Sequence, residues 1–374
     1  MVIGIDGNEA NVDNHVGVSV YTSEILKYFS TIKDNDIYFE VYLRANPKIF
    51  MPKESSNFKY IVVPTKFLWS QIFLPIHLRL YSKIDVFFSP AHYCPRFLKI
   101  PLVVTIHDLA YFYFPHEFLK KDLYKLKNWS KYSVFKATRI ISVSKTTKKD
   151  IISEYGIDDT KIRVIYNGFM RHKVPINSLE LLENEFGLNK KKYILHVGTL
   201  QPRKNIPTLI KAFAKFHKLN PEFKLVLGGK KGWLFNEIFA TVKSLNLEKS
   251  VVFTGFVKNE IESSLYENAF CLVLPSLYEG FGLPILEAMS HDIPVIASQT
   301  ASLPEVGGDA CLYFDPKNVE DLYEKMINIH TDRTLYNQLV AKGKNRVREF
   351  SWEKCAKETL EVIKSVCQAQ NTLS

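Results

Sequence analysis

The chain has 374 residues, 46% apolar and 24% charged, with 16 Gly and 17 Pro, a composition that excludes disordered, collagen-like and small disulfide-stapled classes. At roughly 100 to 200 residues per domain the length points to two domains, and a cleft between them is the default place for function. The 49 Lys and Arg against 39 Asp and Glu give a formal net charge of +10, which leaves nucleic acid, membrane and acidic substrates open as partners.

The N-terminus runs straight into a short apolar strand, 2–5, without a basic head or a long hydrophobic stretch, so neither secretion nor membrane spanning is expected, and the sequon at Asn128 reads as chance. A loop over 7–16 leads to Gly17, which opens a helix over 18–29 and offers a phosphate-compatible helix start. Strands follow at 38–43 and 60–63. The stretch 66–80 is apolar on nearly all faces, with Pro75 kinking or restarting a helix. It reads either as a core helix or, through Trp69 and Phe73, as a contact with lipid or a lipid-linked substrate. Strands at 86–88 and 102–106 come next, the latter closed by His107-Asp108.

The charge is uneven. Residues 1–174 hold 25 Lys and Arg and 16 Asp and Glu, net +9, against 24 and 23, net +1, in residues 175–374. Segment 120–149 alone has ten basic residues and one acid, Asp122. Lys120, Lys121, Lys125 and Lys127 lie there among Leu119, Leu123, Leu126 and Trp129, either as a solvated face or as a contact with an anionic membrane surface. No nucleic-acid reader motif accompanies them. Strands at 139–143 and 163–165 complete this half, and the polar stretch 167–177 reads as a linker.

The rhythm restarts with strands at 193–197, 224–227, 251–254, 271–274, 295–297 and 311–314. Short β-branched runs alternating with helical segments describe an α/β protein of two facing, Rossmann-like, doubly wound parallel sheets. The expected domains are 1–170 and 171–350. A final segment, 351–374, with Ser351 as N-cap and Trp352, Ala356, Leu360, Ile363 and Val366 at helical spacing, is expected to cross back to the first domain. The five scattered cysteines, Cys94, Cys271, Cys311, Cys355 and Cys367, have no metal-ligand spacing and read as reduced thiols.

Two constellations carry chemistry. After the strand at 193–197 come Gly198, Thr199 and then Pro202-Arg203-Lys204-Asn205, adjacent cations at the carboxyl end of a parallel strand, where open α/β sheets bind anions. After the strand at 271–274 comes a turn bearing Glu279, Gly280, Phe281 and Gly282, then a helix whose expected first residue is Pro284. Free amides at that helix start suit a diphosphate. Glu279 in the loop and Glu287 in the expected first turn can accept hydrogen bonds from hydroxyls; the plainer readings are a solvated loop acid and an acid that complements the helix dipole.

The run Glu279-Gly-Phe-Gly-Leu-Pro-Ile-Leu-Glu287-Ala-Met, with Gly-Thr-Leu-Gln-Pro-Arg-Lys-Asn ending at Asn205, resembles the retaining nucleotide-sugar glycosyltransferases of family 4. Weaker matches are GIDGNEA with Gly17, His107-Asp108, the SVS at 142–144, Tyr166-Asn167-Gly168 and LPEVGGDA at 303–310. The resemblance implies the two-domain GT-B fold. It implies that Arg203 and Lys204 hold the donor diphosphate, Glu287 the ribose and Glu279 the sugar hydroxyls, with Gly198, Gly280, Phe281, Gly282 and Leu283 lining the donor. Gly255, Phe256 and Val257 are implied to lie against the base, His107 beside the sugar and acceptor, and Gly17 at the phosphates. It further implies no metal and no cofactor beyond the nucleotide-sugar co-substrate. The form with Pro202-Arg203-Lys204-Asn205 is similar to that of bacterial mannosyltransferases acting on lipid-linked polysaccharide, which suggests GDP-mannose as donor and a cytoplasmic site at the inner membrane face. Thr199 stands where some relatives have a second arginine. A UDP-hexose donor, or a catalytically silent binder of nucleotide-sugars or glycans, are the alternatives.

Overall fold

The computed structural model describes residues 1–15, 17–65 and 67–371; Val16, Lys66 and residues 372–374, which belong to segments singled out above, lie outside these. The described chain forms two compact units. One is Met1–Gly168 together with the segment from Ser351 onward, the other Phe169–Phe350.

The first unit is built on seven parallel strands: β1 (Val2–Asp6), β2 (Tyr38–Leu43), β3 (Phe58–Val62), β4 (Val86–Ser89), β5 (Leu102–Ile106), β6 (Arg139–Ser142) and β7 (Ile162–Val164). Their order is β3-β2-β1-β4-β5-β6-β7. All five residues of β5 are buried, as a strand covered on both faces requires. β3 begins two residues before the expected 60–63 and β7 one before 163–165, because the pairings Phe39 with Phe58 and Ile140 with Ile162 already belong to the ladders. The strand order reverses between β1 and β4, a switch point at whose carboxyl side open sheets leave a crevice.

The C-terminal helix, Trp352–Asn371, belongs to this unit. Ser351 caps it, its Oγ accepting from the Lys354 amide at 3.1 Å. Trp352, Cys355, Ala356, Leu360, Ile363 and Val366 are buried in one core with Ile25, Leu26 and Phe29 of the helix Val18–Ser30. That apolar stripe, not intrinsic propensity, holds the helix in place. A side chain on Gly168 would collide with the backbone of Ser351 and Trp352, so within this unit the end of the first segment lies against the start of the C-terminal one.

The apolar stretch after residue 66 is a π-helical turn, Trp69–Phe73, running into the helix Leu74–Tyr81. Pro75 lies in the first turn of that helix, where its missing N–H is no loss. Trp69 corrects the expectation of a surface contact. It is 5% exposed, and its indole N–H donates to the Val63 carbonyl at 2.9 Å. A left-handed backbone at Leu68 (φ 46°) precedes the turn that carries the ring inward. Phe73, by contrast, is exposed, as are Leu68, Ile72, Ile76 and Leu80. The helix Lys120–Lys136 keeps Lys120, Lys121 and Lys127 exposed. Leu123 and Leu126 pack against the core, whereas Leu119 and Tyr124 stay outside. Arg96 links the two elements, donating to Gln71 Oε1 at 2.5 Å and stacking over the Tyr132 ring at 4.9 Å. Among the described residues no helix is long and apolar enough to cross a membrane.

The second unit has six parallel strands: β8 (Tyr193–Val197), β9 (Lys224–Gly228), β10 (Val251–Gly255), β11 (Cys271–Leu274), β12 (Val295–Ser298) and β13 (Cys311–Phe314). Their order is β10-β9-β8-β11-β12-β13, with the reversal between β8 and β11. Helices connect successive strands. The helix Ile206–Leu219 buries Ile206, Leu209, Ile210, Phe213 and Phe216, a single stripe at 3.6-residue spacing. The loops that carry both chemical constellations leave the carboxyl ends of β8 and β11, the two strands at the switch point.

Candidate functional site

Glycines allow three loops of the second unit to lie edge to edge. The Gly198 amide donates to the Gly228 carbonyl at 2.9 Å, Leu200 to Lys230 at 3.0 Å, and Gly229 to Gly255 at 2.9 Å. Gly229 has φ 134°, and a Cβ there would strike the Gly198 carbonyl, so only glycine permits the approach. The loop after β8 then makes a single 3₁₀ turn, Pro202–Lys204, closed by Asn205 in the left-handed region at φ 53°. Asn205 anchors it, donating to the carbonyls of Pro275 at 3.1 Å and Pro316 at 2.8 Å. The Leu277 amide donates to the Arg203 carbonyl at 2.8 Å. The two cations are thus fixed by backbone bonds to the loop that carries Glu279.

Glu279 is the centre of the site. Its Oε1 pairs with the Lys204 ammonium and accepts from Ser276 Oγ at 2.7 Å. Arg203 Nη1 lies 3.5 Å from Oε2 and donates to the Tyr278 carbonyl at 3.2 Å. Burial works to raise the Glu279 pKa, but the charges of Lys204 and then Arg203, with the hydrogen bonds, hold it down at about 2. The carboxylate is therefore ionised and accepts hydrogen bonds only. Ser302 Oγ, 2.8 Å from the carbonyl oxygens of both Glu279 and Phe281, ties the turn to the loop after β12. Gly282, at φ 108°, opens the next helix; a Cβ there would approach Leu303 Cδ2 to 2.7 Å.

That helix is Leu283–Ser290, so Leu283 rather than Pro284 is its first residue and no acid occupies its first turn. Glu287 consequently sits in the second turn, not where it would complement the helix dipole. Its Oε2 accepts from Tyr266 Oη at 2.7 Å. Burial raises its pKa, and burial followed by the Glu287 charge raises that of Glu262. Tyr266 and Glu262 were not singled out from sequence, although their spacing of four on one helix, Asn259–Asn268, was there to be read. Gly255 has φ 67° with open space where a Cβ would lie, Phe256 beyond it is exposed and Val257 half-buried. His196, fully buried beneath Gly198, joins the switch-point strands: its Nδ1 donates to the Val273 carbonyl at 3.0 Å. Burial brings its pKa down to about 4, so it is neutral at pH 7.

The remaining expected residues belong to the first unit. Gly17 precedes the helix Val18–Ser30 with φ 52°, and nothing lies within 4 Å of where its Cβ would be. The backbone, not crowding, asks for glycine. His107 follows β5, 8% exposed. Its Nε2 donates to the Pro90 carbonyl at 2.7 Å, and its ring meets Tyr21 edge-on at 4.9 Å. Burial, and next the neighbouring His92, bring its pKa down to about 4. It is a neutral ring with Nδ1 as its acceptor atom. Within the second unit the structure brings Arg203, Lys204 and Glu279 into one cluster, while Glu287 is held separately by Tyr266. Among the described residues no group of three or more His, Cys, Asp or Glu could hold a metal ion.

Comparison with known proteins identifies the family. A family model for glycosyl transferases group 1 matches residues 180–346, and one for glycosyltransferase family 4 matches residues 17–170. The O-antigen chain mannosyltransferase B of Escherichia coli is 32% identical over 283 residues, 75% of this chain and 74% of that protein. Among solved structures, sucrose-phosphate synthase from Thermosynechococcus elongatus superposes with TM-score 0.78 at 18% identity, covering 98% of this chain and 99% of the other. Anabaena HepE, solved in complex with UDP and glucose, superposes with TM-score 0.75 at 19% identity, covering 97% and 99%.

Proposed function

Because the chain belongs to the family 4 glycosyltransferases, we propose that it moves mannose from GDP-mannose, with retention of configuration, to a saccharide or polyprenyl-phosphate-linked acceptor in cell-surface polysaccharide synthesis. The observation that carries the site assignment is the convergence of Lys204 and Arg203 on Glu279 at the switch point of the second sheet. An incoming diphosphate would compete with Glu279 for the two cations. As the glycosidic bond breaks, negative charge develops on the leaving diphosphate, and cations already fixed by backbone bonds stabilise it without reorganisation. Glu279, ionised and aimed by Ser276, would accept hydrogen bonds from sugar hydroxyls.

In this reading no side chain serves as nucleophile. The reaction runs through an oxocarbenium-like state, with the acceptor hydroxyl attacking on the face the diphosphate leaves and donor phosphate taking its proton. Retaining glycosidases instead flank the bond with two working carboxylates; here Glu279 is bound to cations and Glu287 to a tyrosine. His107, neutral and half-committed to Pro90, would orient sugar and acceptor rather than donate a proton as an imidazolium. Gly17 would allow close approach of the phosphates, and Gly255, Phe256 and Val257 would meet the base.

Mannose is supported by the name of the E. coli relative. HepE bound to UDP and glucose favours the second reading, a UDP-hexose donor. A screen of nucleotide sugars for thermal stabilisation and slow hydrolysis decides. GDP-mannose should stabilise and be hydrolysed; preference for a UDP-sugar would replace the donor, and stabilisation without turnover would make the protein a silent binder.

The proposal includes peripheral contact with an anionic membrane. Exposed Leu68, Ile72, Phe73, Ile76 and Leu80 are linked through Arg96 to the basic helix Lys120–Lys136, the pairing of apolar and cationic surface that lies at a lipid interface. Replacing Lys120, Lys121, Lys125 and Lys127 by Gln should lessen sedimentation with phosphatidylglycerol vesicles while sparing donor hydrolysis. Equal sedimentation would remove the membrane role.

A further inference from the structure

The geometry points to Tyr266 as a positioning residue for nucleotide recognition, one that fixes the Glu287 carboxylate so that its second oxygen is presented to the ribose hydroxyls; this rests on the proposed ribose role of Glu287. Glu287 projects from a short helix with a flexible side chain, and a carboxylate recognises a diol well only if its plane is held. Tyr266 supplies that hold. It is 2% exposed, and its hydroxyl donates to Oε2 at 2.7 Å. Its ring stacks on His291 at 5.7 Å and 11°.

His291 is in turn fixed to the helix of Glu287, its amide donating to the Ala288 carbonyl at 3.0 Å, and its Nδ1 lies 3.1 Å from Glu267 Oε2. Tyrosine, histidine and the Glu287 helix thus form one braced unit. Glu262, four residues before Tyr266 on the same helix, has its pKa raised by burial and then by the Glu287 charge, so near neutral pH it is the protonated member of the pair and Glu287 the charged one. The tyrosine hydroxyl spends its one proton on Oε2, so Oε1 keeps its lone pairs for a ligand.

The test is titration calorimetry of the full chain with GDP and with UDP, each beside its 2′,3′-dideoxy analogue. Tyr266→Phe, which keeps the ring and its stacking, should weaken the ribonucleotide about tenfold, the scale of losing a hydrogen bond to a charged group, and leave the dideoxy analogue unchanged. Equal weakening of both would overturn the inference, since a merely structural tyrosine moves both alike. Glu287→Ala should also erase the preference for ribose, and adding Tyr266→Phe to it should cost nothing more; additive losses would overturn the coupling. Should Glu287→Ala leave the preference intact, the ribose reading itself fails. Should Glu287→Ala erase it and Tyr266→Phe preserve it, only the positioning role fails.

Discussion

The two units carry positive charge in opposite ways. In the first, the helix Lys120–Lys136 displays exposed lysines to solvent, and with one acid among its six lysines it carries half of the formal excess. In the second, nearly neutral overall, two cations with side chains 12% and 17% exposed converge on one carboxylate that is 11% exposed. A charge count would place function in the first unit. The proposed site lies in the second, on the ground that exposed charges are screened by water and salt whereas shielded ones act at lower dielectric. The exposed lysines suit a surface that attracts other surfaces; the buried triad suits chemistry on one anion.

Removing a single buried cation should therefore outweigh removing several exposed ones. Lys204→Ala is expected to lower donor turnover at least about a hundredfold, the scale for one transition-state charge partner. The quadruple lysine-to-glutamine variant of the first unit should turn over donor at the unsubstituted rate. Equal effects of the two changes in a steady-state assay would erase the contrast.

A smaller effect follows from buried titratable groups in both units. The pKa of His107 and of His196 falls from 6.5 to about 4 on folding, so between those values the unfolded chain binds more protons and stability declines as pH falls. Glu279, lowered from 4.5 to about 2, contributes stability that is present above about 4.5 and is lost as pH drops towards 2. Thermal midpoints measured against pH should fall in these two stages. His196→Gln should flatten the upper stage, and Glu279→Gln the lower; a profile unaltered by either change would contradict the burial argument.

Much of the fold was legible. All thirteen strands stand where short β-branched runs placed them, because a strand buried on both faces leaves little choice of residue. Ends were misplaced by a residue or two where pairing with a neighbour, invisible in one segment, extends the ladder, as at Phe58. Glu279 and the cations were legible because glycine and proline fix the backbone around them. That the carboxylate and the cations bond to each other was not, since 75 residues separate Lys204 from Glu279 and only the adjacency of β8 and β11 joins them. Which of the two readings of its segment applies to Trp69 was open for a related reason. Its segment is apolar all round, and which ring turns inward is decided by one left-handed residue, Leu68. Tyr266 stayed hidden because a tyrosine on an amphipathic helix looks like any core residue until its hydroxyl finds a partner.

The central claim is that the Lys204 and Arg203 pair is a diphosphate site held in readiness by Glu279. Titration calorimetry of GDP and UDP against the unsubstituted chain and Glu279→Gln tests it most directly. With the internal carboxylate neutralised, the free diphosphate meets two cations from which the Glu279 charge has been removed. The nucleotide that binds should bind roughly fivefold tighter, the upper end for an ordinary ion pair, even as sugar transfer collapses. Unchanged or weaker binding in Glu279→Gln would show that the diphosphate does not compete for these cations, and would contradict the account.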